Sequence, residues 1–221
     1  MPLPDGDRAR DAERTALHQA AAALGVPAGE LAIDKLQRFL DLLERWNGTY
    51  NLTAVRDRAA MLSQHLLDCM AVLPPLQRQL PGGGAVLDVG SGGGLPGVVL
   101  AILQPSLRVT CVDTVAKKAA FIRQVAATLG LPNLQANHAR VETLQQPQFD
   151  LITSRAFSSL PDFVRWTRAS LAPGGVWMAM KGQTPETELL GLPADIDVFH
   201  VEPLQVPQLD AERCLVWMKP R

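Results

Sequence analysis

The sequence has little of what would mark a membrane, secreted or metal-binding protein. None of its 221 residues falls in an uncharged apolar run of the roughly 18 residues that a membrane span needs. Residues 1–15 mix acids and arginines without an apolar segment, which argues against a secretory signal and for a cytoplasmic protein. Its three cysteines, Cys69, Cys111 and Cys214, are far apart and set among apolar neighbours, so they read as reduced core thiols rather than a disulfide framework, and no metal site is expected. There is one tyrosine, Tyr50, and no Tyr-x-x-x-Lys pair, so the hydride-transfer apparatus of a nicotinamide oxidoreductase is missing. A net charge of −1 excludes binding to nucleic acid by wholesale phosphate neutralisation. Any such contact has to be local.

What is present is an ordinary globular composition, 47% hydrophobic and 19% charged, of a length that suits one domain with an extension. From about Asp11 to Leu73 the pattern is helical. Leu36, Phe39, Leu40, Leu43 and Trp46 follow the spacing of an amphipathic helix that Asn47-Gly48 is expected to end. A further helix holding Met61, Leu62, Leu66 and Leu67 is expected to stop at Pro74-Pro75. Residues 1–80 therefore form a helical cap, with Met1–Arg14 a variable tail that carries no motif.

Residues 81–221 form the core, beginning at the breaker run Pro81-Gly82-Gly83-Gly84. Strands are expected at Ala85–Val89, Arg108–Asp113, Leu134–Asn137, Asp150–Thr153 and Val176–Lys181, with helices at Gly97–Leu103, Val115–Leu129 and Pro161–Leu171 between them. Asp197–Glu202 and Cys214–Lys219 are joined by a polar loop, as an antiparallel pair would be. The fold class is α/β: a Rossmann-like, mostly parallel seven-stranded sheet with an antiparallel C-terminal hairpin and an N-terminal helical cap.

The stretch from Val86 to Gly97 runs from a buried strand through glycines into a helix, so its backbone can come close to a ligand and present helix N-terminal amides to it. Asp88, two residues before Gly90, either accepts hydrogen bonds from an amino-acid moiety or orders the loop; a pyrophosphate would not tolerate a carboxylate so near. The expected ligand is a nucleoside carrying a cationic group. Asp113 ends the second strand, where it can take the ribose hydroxyls of an adenosine or cap the next helix. Glu142 lies past the third strand, beside a place for an adenine edge. After the fourth strand stands Ser154-Arg155-Ala156-Phe157, not the Asn/Asp-Pro-Pro-aromatic motif of enzymes that methylate exocyclic amines, and no Pro-Cys nucleophile for carbon methylation is in place.

With Trp46-Asn47-x-x-Tyr50-Asn51-Leu52-Thr53, His65-Leu66-Leu67-Asp68, the Asp88–Gly97 loop, Ser154-Arg155-Ala156-Phe157, Lys181-Gly182 and Leu204-Gln205-Val206-Pro207, the chain closely resembles the RsmG (GidB) family from about Leu36 to Lys219. Those are bacterial enzymes that methylate N7 of a guanosine in the 530 loop of 16S rRNA. The resemblance implies a class I methyltransferase fold, S-adenosyl-L-methionine as cofactor, and cofactor contacts from Gly90, Leu95, Asp113, Val141, Glu142 and Arg155. It implies 16S rRNA or the small ribosomal subunit as partner, for a monomer with no obligate protein partner. Gly93 stands where many relatives have proline, which should loosen the loop without changing its contacts.

Guanine N7 has an in-plane lone pair and no proton, so the reaction implied needs no general base, and no catalytic acid–base side chain is expected. Arg155 is given a binding role, to phosphate or to the cofactor carboxylate. Phe157 or Trp46 could grip the target base, though Trp46 continues the apolar face of its helix and reads first as packing. Arg56, Arg58, Lys117, Lys118, Arg123 and Lys181 are the candidates for RNA phosphate contacts. A small-molecule methyltransferase and a non-catalytic S-adenosylmethionine-binding protein are the competing readings.

Overall fold

The structure is a computed structural model that describes residues 5–144 and 148–221. Five helices come first: α1 (Asp5–Leu24), α2 (Glu30–Tyr50), α3 (Arg58–Met61), α4 (Asp68–Met70) and α5 (Leu73–Gln79), with a single π-helical segment, Leu62–Leu67, joining α3 to α4. The first four residues of the expected N-terminal tail lie outside the described residues; from Asp5 on, the rest of it is helix. In α1, Arg10 pairs with Asp41 and Arg14 with Glu30, so this part of the tail belongs to the cap.

Helix α2 buries Ile33, Leu36, Phe39, Leu40 and Leu43, the stripe that its spacing predicts. It runs past Asn47-Gly48 to Tyr50 and is capped by Asn51 in the left-handed conformation, φ 51°. Asn47 does not end the helix because its side chain turns inward, donating to Val55 O at 2.9 Å and accepting from Thr53 N at 2.9 Å. Nor do Pro74 and Pro75 stop a helix. They open α5, in the first turn, where a missing N–H leaves no bond unmade. Arg58 locks the cap together through Glu13, Asp41 and Glu44, each at 2.6 Å.

Seven strands follow: β1 (Gly84–Val89), β2 (Leu107–Asp113), β3 (Leu134–His138), β4 (Phe149–Arg155), β5 (Leu171–Lys181), β6 (Ile196–Pro203) and β7 (Cys214–Pro220). Their order is β3-β2-β1-β4-β5-β7-β6; β1 to β5 pair in parallel, and β7 runs antiparallel between β5 and β6. The expected sheet is therefore present. Helices α6 (Gly97–Leu103), α7 (Ala116–Leu129), α8 (Leu160–Thr167) and α9 (Glu186–Leu190) complete the chain. The expected helix at Pro161–Leu171 ends earlier, passing into a 3-10 turn at Arg168–Ser170, and α9 had no sequence signature of its own.

Every residue of α6 is buried. It fits there because a Cβ on Gly97 would stand 2.5 Å from Cys111 Sγ, closer than any real side chain allows. One cluster of buried apolar side chains runs from Leu17 in the cap to Trp217 in β7, so the cap helices share the core of the sheet. Trp46 belongs to this contact, its ring 5.4 Å from that of Phe121, which confirms its packing role. The three cysteines are buried and unpaired, and burial pushes the thiols of Cys69 and Cys111 up. Among the described residues no helix is long and apolar enough to cross a membrane.

Candidate active site

The C-terminal ends of β1, β2 and β4 meet at the glycine loop, where an open parallel sheet presents its ligand site. Gly90, Gly92 and Gly94 all have positive φ, at 66°, 55° and 81°. A Cβ on Gly90 would lie 2.4 Å from Phe157 Cδ2, so only glycine lets the chain turn here. The loop is held from below: Gly90 N donates to Val112 O, Gly92 N to Asp113 Oδ2 and Gly97 N to Asp88 Oδ2, at 2.9, 3.0 and 2.9 Å. A Cβ on Gly93 would reach 2.9 Å from Leu43 Cδ1 in the cap, so this glycine marks where loop and cap touch.

Asp88 is 0% exposed, which decides between its two expected roles. It orders the loop, through the N–H of Gly97. Its Oδ1 has no hydrogen-bond partner, and neither has Thr153 Oγ1, its register partner on β4. Burial pushes the Asp88 carboxyl up to about 7, against the opposing effects of the Gly97 N–H and Arg155.

On one side of Gly90 lies a cavity of about 360 Å³, walled by Val89, Asp113, Val115, Lys118, Val141, Glu142, Phe157 and Trp166. Both oxygens of Asp113 are already engaged, Oδ1 accepting from Val115 N at 2.8 Å and Oδ2 from Gly92 N. Asp113 is not the N-cap of α7, which is Val115 without a side-chain cap bond; it closes the turn ahead of the helix, and each of its oxygens keeps a second acceptor direction. Val141 and Glu142 arrive on a 3-10 turn after β3. Phe157 packs edge-on to Trp166, ring centres 5.8 Å apart, and lines this chamber.

On the other side lies a cavity of about 500 Å³, walled by Leu52, Thr53, Gln64, His65 and Asp68 of the cap and by Gly90–Gly93, Leu95, Arg155, Met180, Lys181, Gly182 and Arg213 of the core. The two cavities share Gly90 and Ala156, which form a neck between them. Ala156 itself has φ 54°, a left-handed conformation that costs a residue with a Cβ roughly 1–2 kcal/mol.

Asp68 is 2% exposed and carries two guanidiniums, Arg155 Nη1 at 3.1 Å and Arg213 Nε at 2.9 Å. One carboxylate against two arginines leaves this wall with an excess of positive charge. Arg155 also donates to Gln64 O at 2.9 Å and faces His65 Nδ1 at 3.2 Å. With a guanidinium on one side His65 is held neutral; its Nε2 lies 2.7 Å from Thr53 Oγ1 and its Nδ1 3.0 Å from Gln64 O, a carbonyl that can accept from the ring and from Arg155 together. Burial and the Arg155 charge lower His65 to about 4, which fits the neutral ring. Thr53, Gln64, His65, Asp68 and Arg213 were not among the sequence candidates; the spacing of His65 and Asp68, one helical turn apart, was the available clue.

The six basic candidates have different partners. Arg58 is spent on three carboxylates inside the cap, which raise its pKa further. Lys181 lines the larger cavity but pairs with Glu188 at 2.8 Å. Arg123 donates to Ala136 O at 3.1 Å. Arg56 braces the end of α2 through Asn47 O and Asn51 Oδ1. Lys118 stands 3.8 Å from Asp113, and Lys117 lies over the ring of Tyr50, 5.3 Å from its centre.

Two solved structures are similar in fold. TrmN from Thermus thermophilus is 21% identical, with a TM-score of 0.53 over 72% of this chain and 53% of that one. The 1,6-didemethyltoxoflavin-N1-methyltransferase of Burkholderia thailandensis, solved with S-adenosylhomocysteine, is 16% identical, with a TM-score of 0.56 over 83% of this chain and 89% of that one. Among curated sequences, the ribosomal RNA small subunit methyltransferase G of Leptothrix cholodnii is 60% identical over 212 residues, 95% of this chain and 96% of its own. The protein of the same name from Methylibium petroleiphilum is 60% identical over 203 residues, 91% of this chain and 92% of its own. The family model for GidB, rRNA small subunit methyltransferase G, matches residues 32–216, from the second cap helix to the last strand, and so takes in both chambers of the cleft. By that match, and by relatives that align almost end to end, this chain belongs to the GidB family.

Proposed function

We propose that this chain methylates the RNA of the small ribosomal subunit, with S-adenosyl-L-methionine as methyl donor and N7 of a guanosine in the 530 loop of 16S rRNA as acceptor. The observation that carries the reading is the pair of chambers that share Gly90 and Ala156, in a chain whose relatives are named as methyltransferases of small-subunit ribosomal RNA. Bound in the cleft, the cofactor supplies an electrophilic methyl group.

The residues present fit such a group. The smaller chamber offers Asp113 for ribose hydroxyls and Val141 with Glu142 for the adenine, beside the aromatic wall of Phe157 and Trp166. Gly90, which has no room for a Cβ beside Phe157, borders both chambers, and the chain of the cofactor can run along its bare backbone. Leu95 and Arg155 lie in the larger chamber, where Arg155 and Arg213 together can hold a carboxylate or a phosphate. The cap, up to residue 80, supplies the acceptor-side wall, and the core from residue 81 supplies the cofactor side.

Guanine N7 attacks through its own lone pair, so the chain has to orient and to exclude water rather than to move a proton. His65 suits that requirement. It is neutral, buried and hydrogen-bonded on both nitrogens, hence a positioning group for Arg155 and Thr53. The setting proposed is the cytoplasm, where the subunit is assembled, and the working unit is the monomer.

The test is to incubate the protein with methyl-labelled S-adenosylmethionine and small subunits from cells lacking it, then map the label. One labelled N7-guanine in 16S rRNA, lost with Arg155→Ala, is the expected result. Transfer to small metabolites and none to the subunit would replace this reading with that of a small-molecule methyltransferase.

A further inference from the structure

Between α2 and the larger cavity, the stretch from Trp46 to Thr53 is occupied almost residue by residue. Trp46 packs on Phe121, Asn47 braces the turn, Asn51 caps the helix, Leu52 is buried against the glycine loop and Thr53 bonds His65. Tyr50 is different. It is 42% exposed, and its ring rests on Trp46, centre to centre 5.2 Å, with Lys117 Nζ over it at 5.3 Å.

Tyr50 and Lys117 line neither chamber themselves, but their chain neighbours line both. Leu52 and Thr53, two and three residues on, line the larger cavity, while Val115 and Lys118, on either side of Lys117, line the smaller one. Val115 is itself exposed. Lys117 makes no ion pair among the described residues, unlike Arg58, Lys118 and Lys181, so its charge is met only by a ring. A backed, exposed aromatic beside an unpaired ammonium, next to the walls of a cleft, is the arrangement that holds an unstacked base and its phosphate.

Resting on the reading of the chain as an RNA methyltransferase, we propose that Tyr50 is a stacking platform for an unpaired RNA base next to the methylated one, with Lys117 meeting the phosphate of that nucleotide. Without RNA the ammonium covers the open face of the ring. An exposed cation–π contact is weaker than base–aromatic stacking, so an arriving base displaces the flexible lysine stem, which turns outward to the backbone. Trp46 fixes the ring from behind and keeps the cost of ordering it low.

Tyr50→Leu keeps an apolar contact on Trp46 but removes the π-face, and Tyr50→Phe restores that face. Binding and methylation of small subunits are measured at saturating cofactor, with cofactor affinity read separately by calorimetry. Tyr50→Leu is expected to weaken subunit binding and raise KM roughly 5- to 100-fold, with kcat and cofactor affinity unchanged and with recovery in Tyr50→Phe. Lys117→Gln is expected to flatten the dependence of log affinity on log salt by about 0.7. Wild-type KM in Tyr50→Leu, no recovery in Tyr50→Phe, or a loss shared with cofactor binding overturns the platform while leaving the enzyme's function intact. If the wild-type protein transfers no methyl to the subunit, the functional reading fails and the platform falls with it.

Discussion

Arg155, the last residue of β4, donates to Asp68, the first residue of α4, at 3.1 Å across 87 residues of chain. Arg213 bonds the other oxygen of the same carboxylate, so one buried acid pins the cap, the central sheet and the loop before β7. Asp68→Ala leaves two guanidiniums facing each other without it. Breaking a buried pair by removing one partner costs about 3–5 kcal/mol, and a loss of that size in urea denaturation is expected. Asp68→Ala should also lose methyl transfer, since Arg155 is no longer held.

Gly90→Ala separates cofactor binding from folding. The new Cβ must sit at a φ of 66° and within 2.4 Å of Phe157, at the neck of the cleft. Left-handed strain alone costs about 1–2 kcal/mol, or roughly tenfold in affinity if it is relieved by loop movement. Calorimetry with S-adenosylmethionine should show at least that loss, while circular dichroism remains that of the wild type.

Asp88 and His65 pull stability in opposite directions across the same window, from about pH 4 to about 7. Asp88, pushed up to about 7, binds its proton more tightly folded than unfolded, so its contribution is complete below the ordinary carboxylate range and is lost as pH rises through 7. His65, lowered to about 4, works in the opposite direction: its contribution is present above about 6.5 and is lost as pH falls toward 4. Asp88→Asn keeps an oxygen for the Gly97 N–H and places an amide opposite the unpartnered Thr153 hydroxyl. The expected result is an unfolding midpoint above that of wild type by the most at and above pH 7, by less near pH 5, and not at all below about pH 4. A wild-type pH profile in the variant would show that Asp88 does not titrate in this range.

The sheet was legible because its information is local: apolar runs bounded by breakers, and glycines where the chain must turn. All seven expected strands are present, and α6 has the expected bounds. The larger cavity was legible only in part: Gly90, Leu95, Arg155 and Lys181 were candidates, but that Thr53, His65, Asp68 and Arg213 join them depends on tertiary packing. Arg213 sits in a polar loop with nothing local to distinguish it. Pro74-Pro75 misled for a physical reason: proline is as compatible with the first turn of a helix as it is hostile to the interior, and sequence spacing alone did not tell the two apart.

Arg58 makes the clearest contrast with the other basic candidates. With its guanidinium on Glu13, Asp41 and Glu44, Arg58→Ala leaves three acids crowded together and should lower stability by about 1–3 kcal/mol, with more loss at low salt than at high. RNA affinity corrected for folded fraction should not change, because the side chain faces the cap. A fall in affinity with wild-type stability would return Arg58 to the RNA surface.

The π-helical segment Leu62–Leu67 places one extra residue in what is otherwise a continuous helical path from Arg58 to Met70. An extra residue advances the helix by about 100° about its axis. What looks like a local irregularity is thus a phase setting. It turns His65 and Asp68 toward the cleft while Met61, Leu62, Leu66 and Leu67 stay in the apolar interior. Deleting Ser63 from this segment would rotate Asp68 out from between its two arginines without removing any residue that lines the cleft, so the chemistry of this wall is carried by a count of residues as much as by their identity.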